Sequence, residues 1–174
     1  RDTLAGLSYA HNLIDHDGTP LRVVHRDVSP ENIMVTYAGQ TKLVDFGVAK
    51  TVASMSRTRA GVLKGKVAYM APEQARSDTT IDERADVFAV GLLLWQMLTT
   101  KRLWEGLSEA KVFERLLDDE PLPRTRTVDP EIPEDLDELC AKAMEKDKEK
   151  RFATANDLLE ALEKAREHDH HRHG

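Results

Sequence analysis

The stretch VVHRDVSPENIMV, Val23 to Val35, sets Asp27 five positions ahead of Asn32 between two short apolar runs. A second stretch, KLVDFGVAK from Lys42 to Lys50, carries Asp45 out of an apolar strand into a turn at Gly47. With both runs as strands, Asn32 and Asp45 leave adjacent strand ends. Their oxygens make the kind of hard site that magnesium accepts while phosphate and water fill its remaining positions. Asp27 lies close by without being needed as a ligand, and a loop acid so placed can orient a hydroxyl and take its proton during phosphoryl transfer. Each piece also has a plainer reading: Asp45-Phe46-Gly47 as a strand-to-turn tripeptide, Arg26-Asp27 as a local ion pair. Ser29 stands in the same loop where a phosphate-handling site would want a cation, and is otherwise a turn residue.

These groups need a scaffold, and the pattern around them supplies one. Val23-Val24, Ile33 to Val35 and Thr41 to Val44 are short and rich in β-branched residues, with turn residues such as Gly39 between them, so they predict small strands. From about Glu83 onward the pattern is helical. Val87 to Leu98 is apolar almost all round and predicts a helix in the centre of the domain. Val112, Phe113, Leu116 and Leu117, then Leu136, Leu139, Cys140 and Ala143, then Leu158, Leu159 and Leu162 predict three amphipathic helices. Thr154 with Asp157 three residues on resembles a capping box. Prolines at 121, 123, 130 and 133 mark a long connection within one domain, and the fold class is mainly α with a few short β-strands.

Bulk properties narrow the function classes. A chain of 174 residues can bury one real core. With 40% hydrophobic and 32% charged residues it reads as soluble and globular, and a net charge of -6 argues against binding nucleic acid through bulk positive charge. Cys140, the single cysteine, cannot form an internal disulfide and falls on an apolar stripe, which suits a small core residue in a reducing, cytoplasmic setting. No signal peptide opens the chain. Its longest apolar run is broken by Gln96 and too short to span a bilayer, so no membrane contact by this segment is expected. Leu4, Leu7, Ala10, His11 and Ile14 follow helical spacing from the first residues, without a cap, which leads us to expect more chain upstream. At the other end, residues 166–174 read as a His-rich disordered tail, with adventitious transition-metal binding as the alternative.

Taken together, His25-Arg26-Asp27 with Asn32, Asp45-Phe46-Gly47 and Ala71-Pro72-Glu73, in that order and spacing, resemble the catalytic loop, metal-binding turn and activation-segment end of protein kinases. The likeness extends to Asp86 and Arg151 and covers about Arg1 to Leu162. HRDVSPEN with AYMAPEQ is most similar to eukaryotic-like (Hanks-type) bacterial Ser/Thr kinases. The resemblance implies a kinase-like C-terminal lobe over residues 1–165. The N-terminal lobe, with its Gly-rich loop, strand lysine and helix glutamate, is absent from this sequence.

By the same resemblance Asp27 is the catalytic base, Asn32 and Asp45 hold magnesium on ATP, and Met34 lies beneath the adenine. Glu31 meets a basic substrate side chain or is simply solvated. Arg26 and Lys50 match the basic pair that receives a phosphorylated activation loop, with solvated surface cations as the alternative. Within that loop Thr58 is the first candidate for phosphorylation and Ser56 the next. Glu73 and Arg151 pair to tie the activation segment to the helical core, and Asp86 braces the catalytic loop through its backbone. Two positions depart from the family pattern: Ser29 replaces a lysine, and Lys66 replaces a threonine of the activation segment. Cation and hydroxyl have thus exchanged chain positions around Asp27, which would preserve the site's electrostatics. Ser29-Pro30-Glu31 favours Ser/Thr over Tyr acceptors. The implied partners are ATP, protein substrates and a second kinase copy for autophosphorylation. The competing class is a non-catalytic kinase-like lobe that serves as a protein-binding module.

Overall fold

Leu4, Leu7 and Ala10 recur at helical spacing and form the buried face of α1 (Asp2–His11). Ile14, expected on the same face, lies beyond the helix, 62% exposed, in an isolated bridge with Pro20. The computed structural model describes residues 1–46 and 67–172. Lys50, Ser56, Thr58 and Lys66 lie outside the described residues.

Among the described residues two strands form, β1 (Ile33–Val35) and β2 (Thr41–Leu43), an antiparallel hairpin in which Ile33 faces Leu43 and Met34 faces Lys42. Gly39 closes the turn at φ +80, a conformation glycine adopts without steric penalty. Val23-Val24 form no strand. Arg22 at φ +49 and Arg26 at φ +67 bend the backbone on both sides of the pair and leave it no length for a ladder.

The other regular elements among the described residues are helical. Pro72 opens the short α2 (Pro72–Ala75) at a position where a missing N–H costs nothing. α3 (Arg84–Thr99) is the central helix: Phe88, Leu92 and Trp95 pack with Val112, Leu116, Cys140 and Met144, while Val87 and Ala89 pack with Leu4, Leu7, Val28, Leu139 and Leu158. It emerges only at its C-terminal end, where Met97 is 76% exposed. α4 (Glu109–Leu117) starts on a Ser108 cap and buries Val112 and Leu116, leaving Leu117 at its edge. α5 (Glu134–Ala143) approaches α3 closely at Gly91, where a Cβ would stand 2.7 Å from the Ala143 Cβ. Cys140, on this helix, is 1% exposed, and burial pushes its thiol up to about 12, so it is an inert core residue.

α6 (Ala155–Arg172) begins where the Thr154 hydroxyl accepts the Asp157 N–H at 3.0 Å. It runs through Arg172, so the backbone expected to be a disordered tail is helical there. No proline or glycine interrupts 155–172 to stop it. Among the described residues no helix is long and apolar enough to cross a membrane. The described chain is thus mainly α with one two-stranded sheet.

Candidate active site

The His25-Arg26-Asp27 motif and the strand end that follows the hairpin are joined by one imidazole. His25 is fully buried. Its Nε2 is 2.7 Å from the Val44 carbonyl and its Nδ1 accepts the Asp27 N–H at 3.1 Å, so the ring carries its proton on Nε2. One side chain therefore fixes the residue before Asp45 and the backbone of Asp27 together. Phe46 packs its ring against the same imidazole, 4.5 Å between centroids.

Asn32 closes the arrangement from the hairpin side. It ends a 3-10 turn, Pro30–Asn32, that enters β1 directly. Its carbonyl accepts the Val44 N–H at 2.8 Å, which places Asp45 beside it, and its Nδ2 donates to the Asp27 carbonyl at 2.7 Å. With the amide nitrogen engaged, Oδ1 is the Asn32 atom suited to a cation. Asp45 is exposed and sits at φ +56, a strained conformation for a non-glycine residue, as Arg26 does at φ +67. Such strain persists only where surroundings enforce it. At Arg26 the enforcing group is Asp86, at the head of α3: its Oδ1 accepts the Arg26 N–H and its Oδ2 the His25 N–H, each at 2.8 Å.

Asp27, Asn32 and Asp45 thus converge at one end of the hairpin, held by backbone and by His25. The donor set is oxygen only, with neither thiolate nor imidazole offered to the cation, and it fits magnesium, which retains water and phosphate oxygens in place of a full protein cage. Met34, on the hairpin, is 57% exposed, and Glu31 is exposed on the 3-10 turn. Ser29 is 7% exposed two residues from Asp27, and its hydroxyl makes no capping bond.

At the opposite end of the motif series, Glu73 and Arg151 meet in two charge-assisted hydrogen bonds of 2.7 and 3.0 Å, both side chains almost fully buried. Arg151 also donates to the carbonyls of Arg84, Glu145 and Lys146 and lies 5.1 Å over the Phe88 ring.

Two connecting residues escaped the sequence reading. Gln74 donates from Nε2 to the Arg26 carbonyl at 3.1 Å while its Oε1 accepts the Ala71 N–H, which links α2 to the loop that carries Asp27. His11, on α1, reaches Asp86 Oδ2 at 2.7 Å. Its position on the Leu4-Leu7-Ala10 face was a signal, because a polar group on a buried stripe requires a partner. Nothing in the spacing marked Gln74.

Comparison with known proteins agrees with this geometry. The protein kinase domain model matches residues 1–163. A Myxococcus xanthus protein named tyrosine-protein kinase MasK is 44% identical over 162 residues, 93% of this chain and 25% of its own length. The Mycobacterium tuberculosis serine/threonine-protein kinase PknL is 39% identical over 156 residues, 89% of this chain and 36% of its own. A probable serine/threonine-protein kinase of Clostridium perfringens is 36% identical over 142 residues, 82% of this chain and 20% of its own. The chain therefore spans roughly a fifth to a third of the length of these bacterial relatives. On the match to nearly its whole length and on the assembled motifs, the chain belongs to the protein kinase family.

Proposed function

We propose that this chain is the C-terminal lobe of a protein kinase catalytic domain that transfers the γ-phosphate of ATP to Ser/Thr hydroxyls of proteins. The observation that carries the proposal is the convergence of Asp27, Asn32 and Asp45 through His25 and the Val44 backbone. The acceptor hydroxyl attacks the γ-phosphorus, a new O–P bond forms as the bond to the bridging oxygen breaks, ADP leaves, and the hydroxyl proton passes to Asp27. Asn32 and Asp45 would hold magnesium, which when bound neutralises charge on the phosphate oxygens. Met34 presents an apolar surface for the adenine, and Glu31 a carboxylate for a basic substrate side chain.

Ser29 and Lys66 complete the site as an exchanged pair. The Lys66 ammonium supplies the charge that stabilises the transferring phosphoryl group, and the Ser29 hydroxyl bonds Asp27. In a longer polypeptide carrying both lobes, Lys66→Ala lowers the catalytic rate about tenfold to a thousandfold with a smaller change in ATP affinity. Ser29→Lys with Lys66→Thr recovers more activity than either single change. Full activity in Lys66→Ala overturns the exchange.

Arg26 and Lys50 receive the phosphorylated activation loop, at Thr58 first and Ser56 next, after transfer between two kinase copies. A cytoplasmic setting supplies the ATP. The 174-residue chain alone, without a Gly-rich loop or strand lysine, binds ATP weakly. The acceptor is the point at which relatives differ in name, one being called a tyrosine kinase. Phosphoamino-acid analysis of the autophosphorylated longer polypeptide, with Asp27→Asn as control, decides it. Phosphoserine and phosphothreonine are expected; phosphotyrosine alone would overturn the Ser/Thr assignment, and label persisting in Asp27→Asn would overturn the catalytic one.

A further inference from the structure

A cavity of about 580 Å³ lies between the end of α2, the segment that follows α4 and the segment that follows α5. That volume suits a small ligand or a few side chains, for which pockets run to about 300 to 1,000 Å³. Its walls are pinned. Lys146 donates from Nζ to the Arg115 carbonyl and to the Asp118 carbonyl and Oδ1, so it ties the segment after α5 to the start of the segment after α4. Farther along, the Trp95 indole donates to the Pro123 carbonyl at 2.8 Å and the Thr125 hydroxyl to Asp137 at 2.6 Å. Residues 118–125 are thereby held at both ends before any ligand arrives, which lowers the ordering cost of binding.

The lining combines two chemistries. Trp95, Pro121, Leu122, Pro123 and Met144 offer apolar surface, while eight carboxylates outnumber five cations. Several of these charges are already satisfied: Asp118 by Lys146, Glu73 by Arg151, Glu149 by Arg84 and Arg124 by Asp137. Asp78, Asp119 and Glu145 are exposed, and among the described residues their carboxylates make no hydrogen bond or ion pair. Arg76 and Lys150 are likewise without partners, and the lining as a whole stays negative. Among the described residues no three acidic, histidine or cysteine side chains are placed to share a metal ion. The negative charge is instead spread along the cavity, which suits a row of separated cations. Lysine and arginine answer both features, because their aliphatic stems lie on apolar surface while their heads reach carboxylates at the rim. We propose that this cavity docks a Lys/Arg-rich peptide segment of the protein substrate, apart from the residue that is phosphorylated. Gln74, bonded to the Arg26 carbonyl, sets α2 and the edge of the cavity next to the loop that carries Asp27. A segment held there keeps the rest of its polypeptide near the site and raises the effective concentration of the acceptor. The docking role rests on the kinase reading; the binding of the peptide does not.

The probe is a fluorescein-labelled peptide, Arg-Leu-Lys-Arg-Leu-Lys-Gly, with a counterpart in which Glu replaces each Arg and Lys. Fluorescence anisotropy with the 174-residue chain should show saturable binding of the cationic peptide and none of the acidic one. Asp119→Asn with Glu145→Gln should weaken binding about fivefold to tenfold, whereas Asp15→Asn with Asp17→Asn, the same change of charge on the loop after α1, should weaken it less than about twofold. Equal losses in the two variants would mean attraction by net charge alone and would overturn the site. Spermine that displaces the peptide at equal concentration overturns the choice of a peptide. The indole signals locate the site without any variant. In the 15N-labelled chain the Trp95 N–H should shift on titration, and the Trp104 N–H, which donates to the Ala68 carbonyl, should not. A Trp95 signal unmoved at saturation overturns the proposal. In the longer polypeptide, a substrate peptide extended by the cationic segment should have a KM about fivefold below that of the same peptide without it, at similar kcat. Asp119→Asn with Glu145→Gln should remove that difference. Binding without a KM advantage overturns the docking role. A longer polypeptide with no kinase activity at all defeats the kinase reading instead, and the anisotropy and the Trp95 signal still decide the cavity.

Discussion

Asp86 and Arg151 are both buried charges, 1% and 4% exposed, and both bind backbone beside the start of α3, yet they hold different segments and do so in opposite senses. Arg151 is a cation that donates to three carbonyls and to Glu73, an opposite charge as deeply buried as itself. Asp86 is an anion that accepts two backbone N–H groups and an imidazole donor. One region is held by a neutralised pair, the other by dipoles gathered around a charge. The segments held also differ. Arg151 joins α2 to the chain around α3, whereas Asp86 fixes a loop residue in a conformation that ordinary residues disfavour. The first device secures stability; the second shapes the site.

The largest effect should come from breaking the neutral pair. Arg151→Ala strands the Glu73 carboxylate in the interior, which is expected to cost on the order of 3 to 5 kcal/mol in denaturant or thermal unfolding of the chain. A double replacement, Arg151→Met with Glu73→Leu, removes the orphaned charge and should regain part of that loss. Full recovery would mean that the carbonyls of Arg84, Glu145 and Lys146 gain little from Arg151. An unchanged melt for Arg151→Ala would refute the pairing.

At Asp86 the expected ranking of stability and activity reverses. Asp86→Asn keeps the shape but turns one acceptor oxygen into a donor, which then faces a donor N–H. The loss should be about 1.5 to 3 kcal/mol, the range for hydrogen bonds to a charged group. In the longer polypeptide, kcat should fall further than in an Arg151→Lys variant matched for loss of stability. Equal kcat at equal stability would erase the distinction between the two regions.

How far this contrast was legible in sequence follows from its chemistry. Asp27, Asn32 and Asp45 stood out because a reaction demands particular residue types at particular separations, whereas Glu73, Asp86 and Arg151 were named only through the resemblance to protein kinases. The hairpin was legible for a similar reason: β-branched runs on either side of Gly39 leave few alternatives. Val23-Val24 misled because propensity says nothing about the positive φ values at Arg22 and Arg26, which arise from Asp86 and from the chain's path. His11 and Gln74 are partners chosen by three-dimensional proximity, 75 and 48 residues along the chain from the groups they bond. The helical backbone beyond residue 165 was missed because a charged, His-rich composition was read as unable to pack, although a helix already under way extends until something stops it.

Asp137 combines the two devices and sharpens the comparison through pH. Like Asp86 it collects donors, from the Thr125 hydroxyl at 2.6 Å and the Arg126 N–H at 3.2 Å; like Glu73 it has a guanidinium, that of Arg124. Burial works against its charge, but the hydrogen bonds from Arg124, Thr125 and Arg126 outweigh that and hold it at about 2. A folded value below the unfolded one means stability that is present above about pH 4 and lost as pH falls through about 2. The contribution should be about 2 kcal/mol. Unfolding measured between pH 5 and pH 2, with Asp137→Asn as reference, should show the difference between the two proteins shrinking across this window. A difference that stays constant would place the stabilisation elsewhere.

The smallest effect is expected where the same chemistry is neutral and exposed. Ser108 caps α4, and its hydroxyl accepts the Lys111 N–H at 3.2 Å on the surface. Water can replace the hydroxyl once it is removed, so Lys111 is not left without an acceptor, as His25 and Arg26 would be inside the molecule without Asp86. The uncharged oxygen also makes a weaker bond than a carboxylate does. Ser108→Ala should therefore cost about 0.5 to 1 kcal/mol, toward the lower part of the range for lost caps, with no effect on the hairpin or on kcat of the longer polypeptide. Ser108→Asp should leave stability equal to or slightly above the original, because a carboxylate both caps the helix and complements its N-terminal dipole. The set of variants then orders one interaction type, a side-chain oxygen accepting a backbone N–H, from exposed and neutral to buried and charged. A loss at Ser108 as large as that at Asp86 would show that burial and charge are not what separates the two regions.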